Sequence, residues 1–334
     1  MNKIALAIHG GAGTILKSEM TAELEKEYRG GLQAALEKGF AILREKGSAL
    51  DAVEAATVEL ENFPLFNAGR GSVFTHESKN EMDAAIMDGA AFKAGAVAFL
   101  RNVKNPIKLA RLVMQRTEHI LLAGEGANEF AREMKVQFEP DEYFFTEHRY
   151  LQLLKAIETG RVQLDHTADE IELIEEAETL VEENSADANP KSKIANPKSI
   201  GTVGAVACDT QGNLAAATST GGMTNKNFGR IGDTPIIGAG TYAENASCAV
   251  SCTGHGEYFM LGVTAFDLAA RVKYKNLSLE DAARETIEQL TKIGGEGGFI
   301  AVDANGNVTL PFNSEGMYRG FAKEDGEIVV EIYR

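Results

Sequence analysis

The sequence predicts a layered α/β fold, and two observations support this prediction. Short runs rich in apolar and β-branched residues, which are typical of strands, recur along the chain of 334 residues. Longer segments carry apolar residues three and four positions apart, which is typical of helices. Because the two kinds of segment occur in clusters and do not alternate strictly, they favour helices packed on sheets over a repeated strand–helix unit.

The N-terminal part is predicted to begin with a buried strand at residues 4–8 that ends in a glycine-rich turn. Helical spacing predicts a helix within residues 21–46. Ser48, followed three residues later by Asp51, resembles a capping box for a second helix that ends at about Asn62. The other predicted elements are a loop at 64–71, strands at 72–75, 82–87, 94–100 and 119–122, and helices at 105–116 and 124–134.

The composition changes between about residues 161 and 200. Ten Asp and Glu and no Lys or Arg lie between Asp165 and Asp187, with enough apolar residues for a frayed helix at most. A short imperfect repeat that contains Pro190 and Pro197 follows. Because such a segment buries too little apolar surface to offset the entropy of ordering, it is predicted to be a flexible acidic linker.

The C-terminal part is predicted to contain two hairpins. The first joins strands 202–208 and 214–219, and the second joins strands 299–302 and 308–310, each through a turn rich in Asp, Asn and Gly. The other predicted elements are strands at 246–251 and 328–333 and helices at 258–272 and 279–293.

Charge and composition exclude several classes of partner. The net charge of −16 argues against binding to nucleic acid or to an anionic membrane surface. No run of eighteen apolar residues predicts a membrane span, and the run at 4–8 is too short for a secretion signal. The three cysteines fit a reducing cytoplasm better than a disulfide framework, and Cys248 and Cys252 are interpreted as small core residues. We therefore expect a cytoplasmic protein.

The most informative motif is Gly201-Thr202 at the start of a strand-like run. No His or carboxylate is adjacent to Thr202 in the sequence, so a nucleophilic hydroxyl here needs another base. A threonine at a chain N-terminus carries its own base, because its α-amino group has an ordinary pKa of about 8. Gly201 tolerates a strained backbone, which helps the Thr202 hydroxyl attack the preceding carbonyl. The hypothesis is that the chain is cut between Gly201 and Thr202.

Several segments, in order, resemble the plant-type L-asparaginase and isoaspartyl peptidase family of N-terminal-nucleophile hydrolases. The resemblance covers the chain from Ile4 to about Gly320, except for about residues 160–199. The matching segments are 9–13, 64–69, 82–85, 201–207, 218–226, 229–233, 251–257 and 310–318. The resemblance implies an αββα sandwich. It also implies one domain made of two subunits after self-cleavage, an α chain of residues 1–201 with its linker and a β chain of residues 202–334, which hydrolyse L-asparagine and isoaspartyl dipeptides.

The resemblance also assigns roles around the nucleophile Thr202. Thr220 hydrogen-bonds this residue, while Thr253 and Gly254 form the oxyanion hole. Thr218 and Thr220 are two residues apart in a predicted strand, so both side chains lie on one face. If the first hairpin pairs in register, this end of the strand approaches Thr202.

Arg230 and Asp233 are suited to a zwitterionic substrate, because an Arg fork binds an α-carboxylate and an Asp accepts from an α-ammonium. The resemblance assigns this pair to substrate binding, with Thr253, Gly254 and the backbone of Gly256 beside it. L-Asparagine and isoaspartyl peptides present the same head group, so the sequence does not rank them.

The resemblance further assigns Asn67 a position near the nucleophile, although an Asx turn explains this residue equally simply. It implies that catalysis needs no cofactor and that the protein binds a structural sodium ion. It also implies that the substrate is a small molecule and that αβ units associate into an (αβ)₂ assembly. The sodium ligands are the backbone carbonyls of Leu60, Glu61, Phe63, Phe66, Ala68 and Arg70.

The chain departs from the family pattern at His255, where a small or hydroxyl residue is commoner, and in its long acidic linker. His9 precedes a glycine-rich stretch, but no Gly-Lys-Ser/Thr follows to favour a phosphate loop. Two other functions stay open. One is a glycosylasparaginase-like amidase, although Ile200 stands where that enzyme has Asp. The other is an uncleaved binding protein without activity.

Overall fold

The computed structural model describes residues 3–18, 20–159 and 201–334. The predicted linker at about 161–200 lies outside these residues. The strands are β1 Ala5–Gly13, β2 Met82–Asp88, β3 Lys93–Leu100, β4 Leu121–Ala123, β5 Val203–Cys208, β6 Leu214–Thr220, β7 Thr241–Ala243, β8 Cys248–Gly254, β9 Gly297–Asp303, β10 Val308–Thr309, β11 Gly316–Lys323 and β12 Ile328–Tyr333. The helices are α1 Ala22–Arg44, α2 Ala49–Asn62, α3 Pro106–Arg116, α4 Gly124–Glu133, α5 Asp141–Phe144, α6 Glu147–Glu158, α7 Gly256–Gly262, α8 Thr264–Lys275 and α9 Leu279–Lys292.

The strands form two sheets. The larger has the order β12-β11-β1-β5-β6-β2-β3-β4, and the smaller has the order β10-β9-β8-β7. Both predicted hairpins are confirmed: β5 pairs antiparallel with β6, and β9 with β10. In the first, Val203 pairs with Ser219, so the residue before β5 lies beside the last residue of β6. The predicted mixed α/β fold is confirmed.

Two apolar cores organise these elements. Alternate residues of β1 enter different cores, because successive side chains of a strand point to opposite faces. Leu6 and Ile8 pack with residues of α1, α2 and α3, whereas Ala5 and Ala7 pack with residues of the small sheet and of α8 and α9. The three cysteines lie in the second core, all buried and free, as predicted for Cys248 and Cys252.

Local sequence explains where the main helices begin. The side chains of Thr21, Ser48 and Ser278 each accept a hydrogen bond from a backbone N–H three residues later, at the starts of α1, α2 and α9. These serine and threonine caps satisfy amides that the helix itself leaves unpaired. Within the described ranges, no helix has both the length and the apolar character that crossing a bilayer requires.

Several predicted elements are wrong. Residues 9–13 do not form a turn, because they continue β1, which is paired with β5 and β11 on its two sides. Residues 72–75 are not a strand, since only single bridges form at Phe74 and Thr75. The helix predicted at 258–272 is divided into α7 and α8 by Val263, which has φ of 45°. The short strand predicted at 246–251 begins and ends later, at Cys248–Gly254.

Four elements were not predicted: α5, α6, β7 and β11. β11 is a long strand of the large sheet, paired with β1 and β12. Its sequence contains two glycines, an arginine and a lysine, which obscure the strand pattern.

Candidate active site

Thr202 lies directly before β5, at the edge of a cavity between the two sheets. Its side chain is buried, and its Oγ1 lies 3.1 Å from Thr220 Oγ1, the last residue of β6. The register of the β5–β6 hairpin produces this contact, as the sequence predicts. Thr220 Oγ1 also accepts a hydrogen bond of 3.0 Å from the Gly222 N–H, which fixes the side chain beside Thr202.

The cavity brings most of the predicted site residues together. It is lined by Ala12, Gly201, Thr202, Thr220, Gly222, Met223, Arg230, Gly232, Asp233, Thr234 and Gly254. The predicted nucleophile, one oxyanion-hole residue and both predicted substrate-binding side chains therefore border the same space. Thr253 and Gly256 are not part of this lining but lie close to it in the sequence. Thr253 directly precedes Gly254, and Gly256 follows Gly254 by two residues.

The end of β8 supplies the predicted oxyanion-hole residues. Thr253 is completely buried, and its Oγ1 has no hydrogen-bond partner among the described residues. A buried hydroxyl without a partner is uncommon, because leaving it unpaired costs about 1–3 kcal/mol. This hydroxyl therefore has unused hydrogen-bonding capacity next to the cavity-lining Gly254.

Asp233 is buried in the wall of the cavity, and its Oδ2 has no hydrogen-bond partner within the described part of the chain. Burial raises the pKa of this carboxyl to about 7, and the nearby Arg230 guanidinium opposes the rise. A Cβ on Gly256 would lie 2.8 Å from Asp233 Oδ1 and 2.9 Å from Arg230 Nη2. The absence of a side chain at Gly256 thus allows the backbone to approach both charged groups.

Arg230 has a partner that the sequence analysis missed. Its Nε and Nη2 donate to the two carboxylate oxygens of Glu257, each at 2.9 Å. Burial alone would raise the pKa of Glu257, but the hydrogen bonds and charge of Arg230 hold it below its ordinary value. His255 Nε2 lies 3.4 Å from the same carboxylate, and burial lowers the pKa of this histidine. Glu257 therefore occupies the Nε and Nη2 edge of the Arg230 guanidinium, an edge that could also bind a substrate carboxylate.

His9 is a second residue that sequence reasoning missed. Its Nδ1 lies 3.0 Å from the carbonyl oxygen of Thr202, and its Nε2 lies 2.9 Å from Ser251 Oγ. Burial lowers the pKa of His9 to about 3, so the ring is neutral at pH 7. The neighbouring glycines belong to a buried strand, which argues against a phosphate loop.

Asn67 connects the loop after α2 to the end of β6. Its Oδ1 accepts from the Val73 N–H at 3.1 Å, and its Nδ2 donates to the Gly222 carbonyl at 2.8 Å. The Gly221 N–H donates to the Asn67 carbonyl at 3.1 Å. Asn67 thus holds the turn that follows Thr220.

The proposed sodium ligands lie in the last turn of α2 and the following loop. The carbonyls of Leu60, Phe63, Phe66 and Ala68 each accept one backbone hydrogen bond, which leaves a second lone pair on each oxygen. A Cβ on Gly71 would lie 2.1 Å from the Phe66 oxygen and 2.5 Å from the Pro64 oxygen. Of these two oxygens only that of Phe66 belongs to the proposed ligand set, so the sodium site stays a prediction. Within the described ranges, no three His, Cys, Asp or Glu side chains cluster as a metal site.

A buried threonine hydroxyl in a cavity that an arginine and an aspartate also line is the arrangement expected of a hydrolase of small polar molecules. Residues 2–332 match the model of the family described as Asparaginase, and the chain belongs to this family.

The chain is similar to curated relatives over nearly its full length. It is 48% identical to an isoaspartyl peptidase of Salmonella typhimurium, with 100% of each chain covered. It is 44% identical to a plant-type L-asparaginase of Pyrococcus furiosus, covering 96% of this chain and 97% of that one. It is also 41% identical to an isoaspartyl peptidase/L-asparaginase of Xenopus laevis, covering 99% and 96%.

Proposed function

We propose that the chain is a self-processing amidohydrolase that cleaves β-aspartyl bonds, with L-asparagine and isoaspartyl dipeptides as substrates. The observation that carries this proposal is the position of Thr202 Oγ1, 3.1 Å from Thr220 Oγ1, in a cavity that Arg230 and Asp233 also line. The names of the relatives, isoaspartyl peptidase and L-asparaginase, support this substrate class.

Self-processing comes first, because the Thr202 nitrogen is an amide in the uncut chain and cannot act as a base. Thr202 Oγ1 attacks the Gly201 carbonyl carbon, the Gly201–Thr202 C–N bond breaks, and the nitrogen takes up the hydroxyl proton. Water then hydrolyses the resulting ester. The products are an α chain that ends at Gly201 and a β chain whose first residue carries both a hydroxyl and a free amine.

Substrate binding uses the two charged side chains of the cavity. Asp233 accepts from the α-ammonium of the aspartyl head, which supplies the partner that its buried Oδ2 lacks. Arg230 binds the α-carboxylate of the substrate. Glu257 then either shares the Arg230 guanidinium with the substrate or is displaced from it. This leaves the side-chain carbonyl of the substrate directed towards Thr202.

Hydrolysis proceeds through an acyl-enzyme. The Thr202 amine takes the proton from Oγ1, which attacks the substrate carbonyl carbon, and the developing oxyanion is stabilised by Thr253 Oγ1 and the Gly254 N–H. The C–N bond of the substrate breaks as its nitrogen takes up the proton, which releases ammonia or an amino acid. Water attacks the ester in the same way and releases aspartate.

The two chains are proposed to remain one folded domain after cleavage. The large sheet supports this, because strands before and after the cut are interleaved: β1 lies between β11 and β5, and β2 pairs with β6. Separating the chains would break these ladders and both apolar cores. The proposed αββα sandwich is supported by the two cores, one joining the large sheet to α1–α3 and the other joining both sheets to α8 and α9.

Association into an (αβ)₂ dimer is proposed as well. Apolar side chains at the α7–α8 junction are exposed, among them Leu261, Val263 and Phe266, and Phe228 is fully exposed beside the Arg230 loop. Clustered apolar exposure favours association with another surface. Sedimentation velocity measures the oligomeric state directly.

Two further assignments complete the proposal. The carbonyls of Leu60, Glu61, Phe63, Phe66, Ala68 and Arg70 would hold sodium, whose charge stabilises the loop that carries Asn67; no cofactor enters the chemical steps. The three buried free thiols fit a protein that acts in a reducing cytoplasm.

The proposal is tested by measuring ammonia released from L-asparagine and amino acid released from a β-aspartyl dipeptide, with T202A as the inactive control. We expect wild-type protein to hydrolyse both substrates and T202A to stay full length and inactive. Preferential cleavage of glycosylated asparagine would instead identify a glycosylasparaginase-like amidase. A single band on a denaturing gel without hydrolysis would identify a binding protein.

A further inference from the structure

Two rows of residues face each other between the sheets, next to Thr202. In the large sheet, Gly204 of β5 pairs with His9 of β1 on one side and with Thr218 of β6 on the other. In the small sheet, Thr241 of β7 pairs with Ser251 of β8. All five residues are buried, so their polar atoms depend on one another for hydrogen bonds.

Because Gly204 has no side chain, side chains of the small sheet can contact those of the large sheet at this position. A Cβ at this position would lie 2.0 Å from Ser251 Oγ and 2.6 Å from His9 Nε2. Ser251 Oγ instead lies 2.9 Å from His9 Nε2 and 2.8 Å from Thr218 Oγ1. The serine of the small sheet therefore bridges the two side chains that flank Gly204 in the large sheet.

The direction of each hydrogen bond follows from the carbonyl at one end. The Thr202 oxygen can only accept, so His9 Nδ1 carries the ring proton and Nε2 of the neutral ring is an acceptor. Ser251 must therefore donate its single proton to Nε2. Because that proton is committed, Thr218 donates to Ser251, in preference to its longer contact of 3.5 Å with the Gly240 oxygen.

The same argument extends the chain of hydrogen bonds towards the substrate side. Thr241 Oγ1 lies 2.6 Å from Thr218 Oγ1, whose own proton is already committed, so Thr241 donates to it. The carbonyl oxygen of Thr234 lies farther from Thr241 Oγ1, at 3.1 Å, and can only accept, so it competes with Thr218 for the single Thr241 proton and is not a link of the chain. The hydroxyl protons thus point in one direction, from Thr241 to His9 beside Thr202.

We propose that this relay, comprising Thr241, Thr218, Ser251 and His9, is a positioning device that holds the Thr202 carbonyl. The Thr202 carbonyl selects the His9 tautomer that donates from Nδ1, and the hydroxyls satisfy Nε2 and hold the ring in place. Thr202 lies just outside the β5–β6 ladder, which begins at Val203, so this bond restrains a residue that loses its preceding neighbour on cleavage. The inference rests on the proposed function, because positioning affects turnover only if Thr202 reacts.

The tautomer is measured first, by long-range ¹H–¹⁵N NMR correlations of ¹⁵N-histidine-labelled wild-type protein. We expect His9 to be neutral with its proton on Nδ1 from pH 6 to 8, and its Nε2 resonance to shift in S251A, which removes the hydrogen bond that Nε2 accepts. A proton on Nε2 in the wild type would overturn the inference. This readout does not depend on activity, so a protein inactive on β-aspartyl substrates would contradict the proposed function alone.

Turnover is measured next, per β chain with a free N-terminal threonine, counted by mass spectrometry. His9→Leu removes the donor and is expected to lower kcat about 10- to 100-fold with KM unchanged. His9→Asn offers an amide N–H near the position of Nδ1 and is expected to keep kcat within about fivefold. Equal losses in the two variants would overturn the inference.

Ser251→Ala keeps the test decisive if the His9 variants do not fold. We expect it to lower kcat about fivefold, which corresponds to one buried hydrogen bond. Ser247→Ala is the matched control, because Ser247 lies just before β8 and its Oγ donates to the Glu244 carbonyl, away from the relay. An unchanged kcat for S251A, or the same loss in S247A, would contradict the relay.

Discussion

The two ends of the cavity differ in how their polar atoms are satisfied. At the nucleophile end, Oγ1 and the carbonyl oxygen of Thr202 have protein partners, Thr220 and His9. At the substrate end, Asp233 Oδ2 and Thr253 Oγ1 are buried without a hydrogen-bond partner among the described residues. The fold therefore completes the nucleophile end by itself, whereas the substrate end retains hydrogen-bonding capacity for a ligand or water.

This difference separates two kinds of expected defect. Changes at the unsatisfied substrate end should alter binding or transition-state stabilisation and leave the free protein intact. Changes at the nucleophile end should disturb an arrangement that already exists without substrate. The following predictions test this contrast, from the largest expected effect to the smallest.

Thr253→Val removes the unpaired hydroxyl and keeps the shape of the side chain. Loss of one oxyanion donor typically lowers kcat by about 10²–10³, and we expect that loss here with little change in melting temperature. Steady-state kinetics and thermal denaturation measure the two effects.

Thr57→Val is the matched control for this change. Thr57 in α2 is also fully buried, with an Oγ1 that lacks a partner in the described structure, but neither of its chain neighbours lines the cavity, whereas Thr253 directly precedes the lining residue Gly254. If the kcat of T253V equalled that of T57V, the assignment of Thr253 to the oxyanion hole would be wrong.

Asp233→Asn removes the carboxylate proposed to bind the substrate ammonium. Truncating one partner of a buried charge pair costs about 2–5 kcal/mol, and the lower value corresponds to about a 30-fold increase in KM. We expect kcat to change much less, because Asp233 is proposed to contact the α-ammonium of the substrate and not its reacting carbonyl. Asp141→Asn, at an exposed ion pair with Arg101, provides the control.

The pH dependence follows from the same carboxyl. Burial raises the pKa of Asp233 to about 7, so its binding-competent charged form is lost as the pH falls through this value. We expect KM to rise about tenfold per pH unit below that pKa and to level off above it.

The Thr202 amine must also lose its proton, and we assign this deprotonation to the pH profile of kcat, whereas the charge of Asp233 determines that of KM. The KM profile should therefore become flat in D233N while the kcat profile keeps its slope. A KM profile that is unchanged in D233N would assign the titration to another group.

Glu257→Gln should have the smallest effect. Glu257 occupies the Arg230 fork in the free protein, but its side chain is 43% exposed, so the solvent-screened pair contributes at most about 1 kcal/mol. Because a neutral amide competes less with the substrate carboxylate, we expect KM to fall about two- to fivefold. A rise in KM would mean that Glu257 orients Arg230 productively. Glu285→Gln, at the Arg271 pair, is the control.

Local chemistry explains what the sequence predicted well. The Thr202–Thr220 contact follows from a short hairpin, in which a turn and a spacing of two determine which side chains meet. Arg230 and Asp233 are three residues apart in one short loop, so their meeting in the same cavity also follows from local sequence, while their use in substrate binding stays a prediction.

Long-range pairing explains what the sequence could not predict. His9 meets Thr202 across 193 residues only because β1 lies beside β5, and strand order is not encoded in a local pattern. The apolar pattern runs unbroken through Val263, so periodicity could not reveal the break between α7 and α8. A glycine inside a strand, such as Gly204, indicates that another group approaches the backbone closely, but it does not indicate which side chain does so.

Mass spectrometry of purified wild-type protein, aged and assayed in parallel, tests the central claim most directly. The account predicts a fragment of 133 residues that begins at Thr202, its complement that ends at Gly201, and amidase activity that increases with their amount. Full activity in a preparation that consists of the intact chain, with the Thr202 nitrogen still in its peptide bond, would contradict the account.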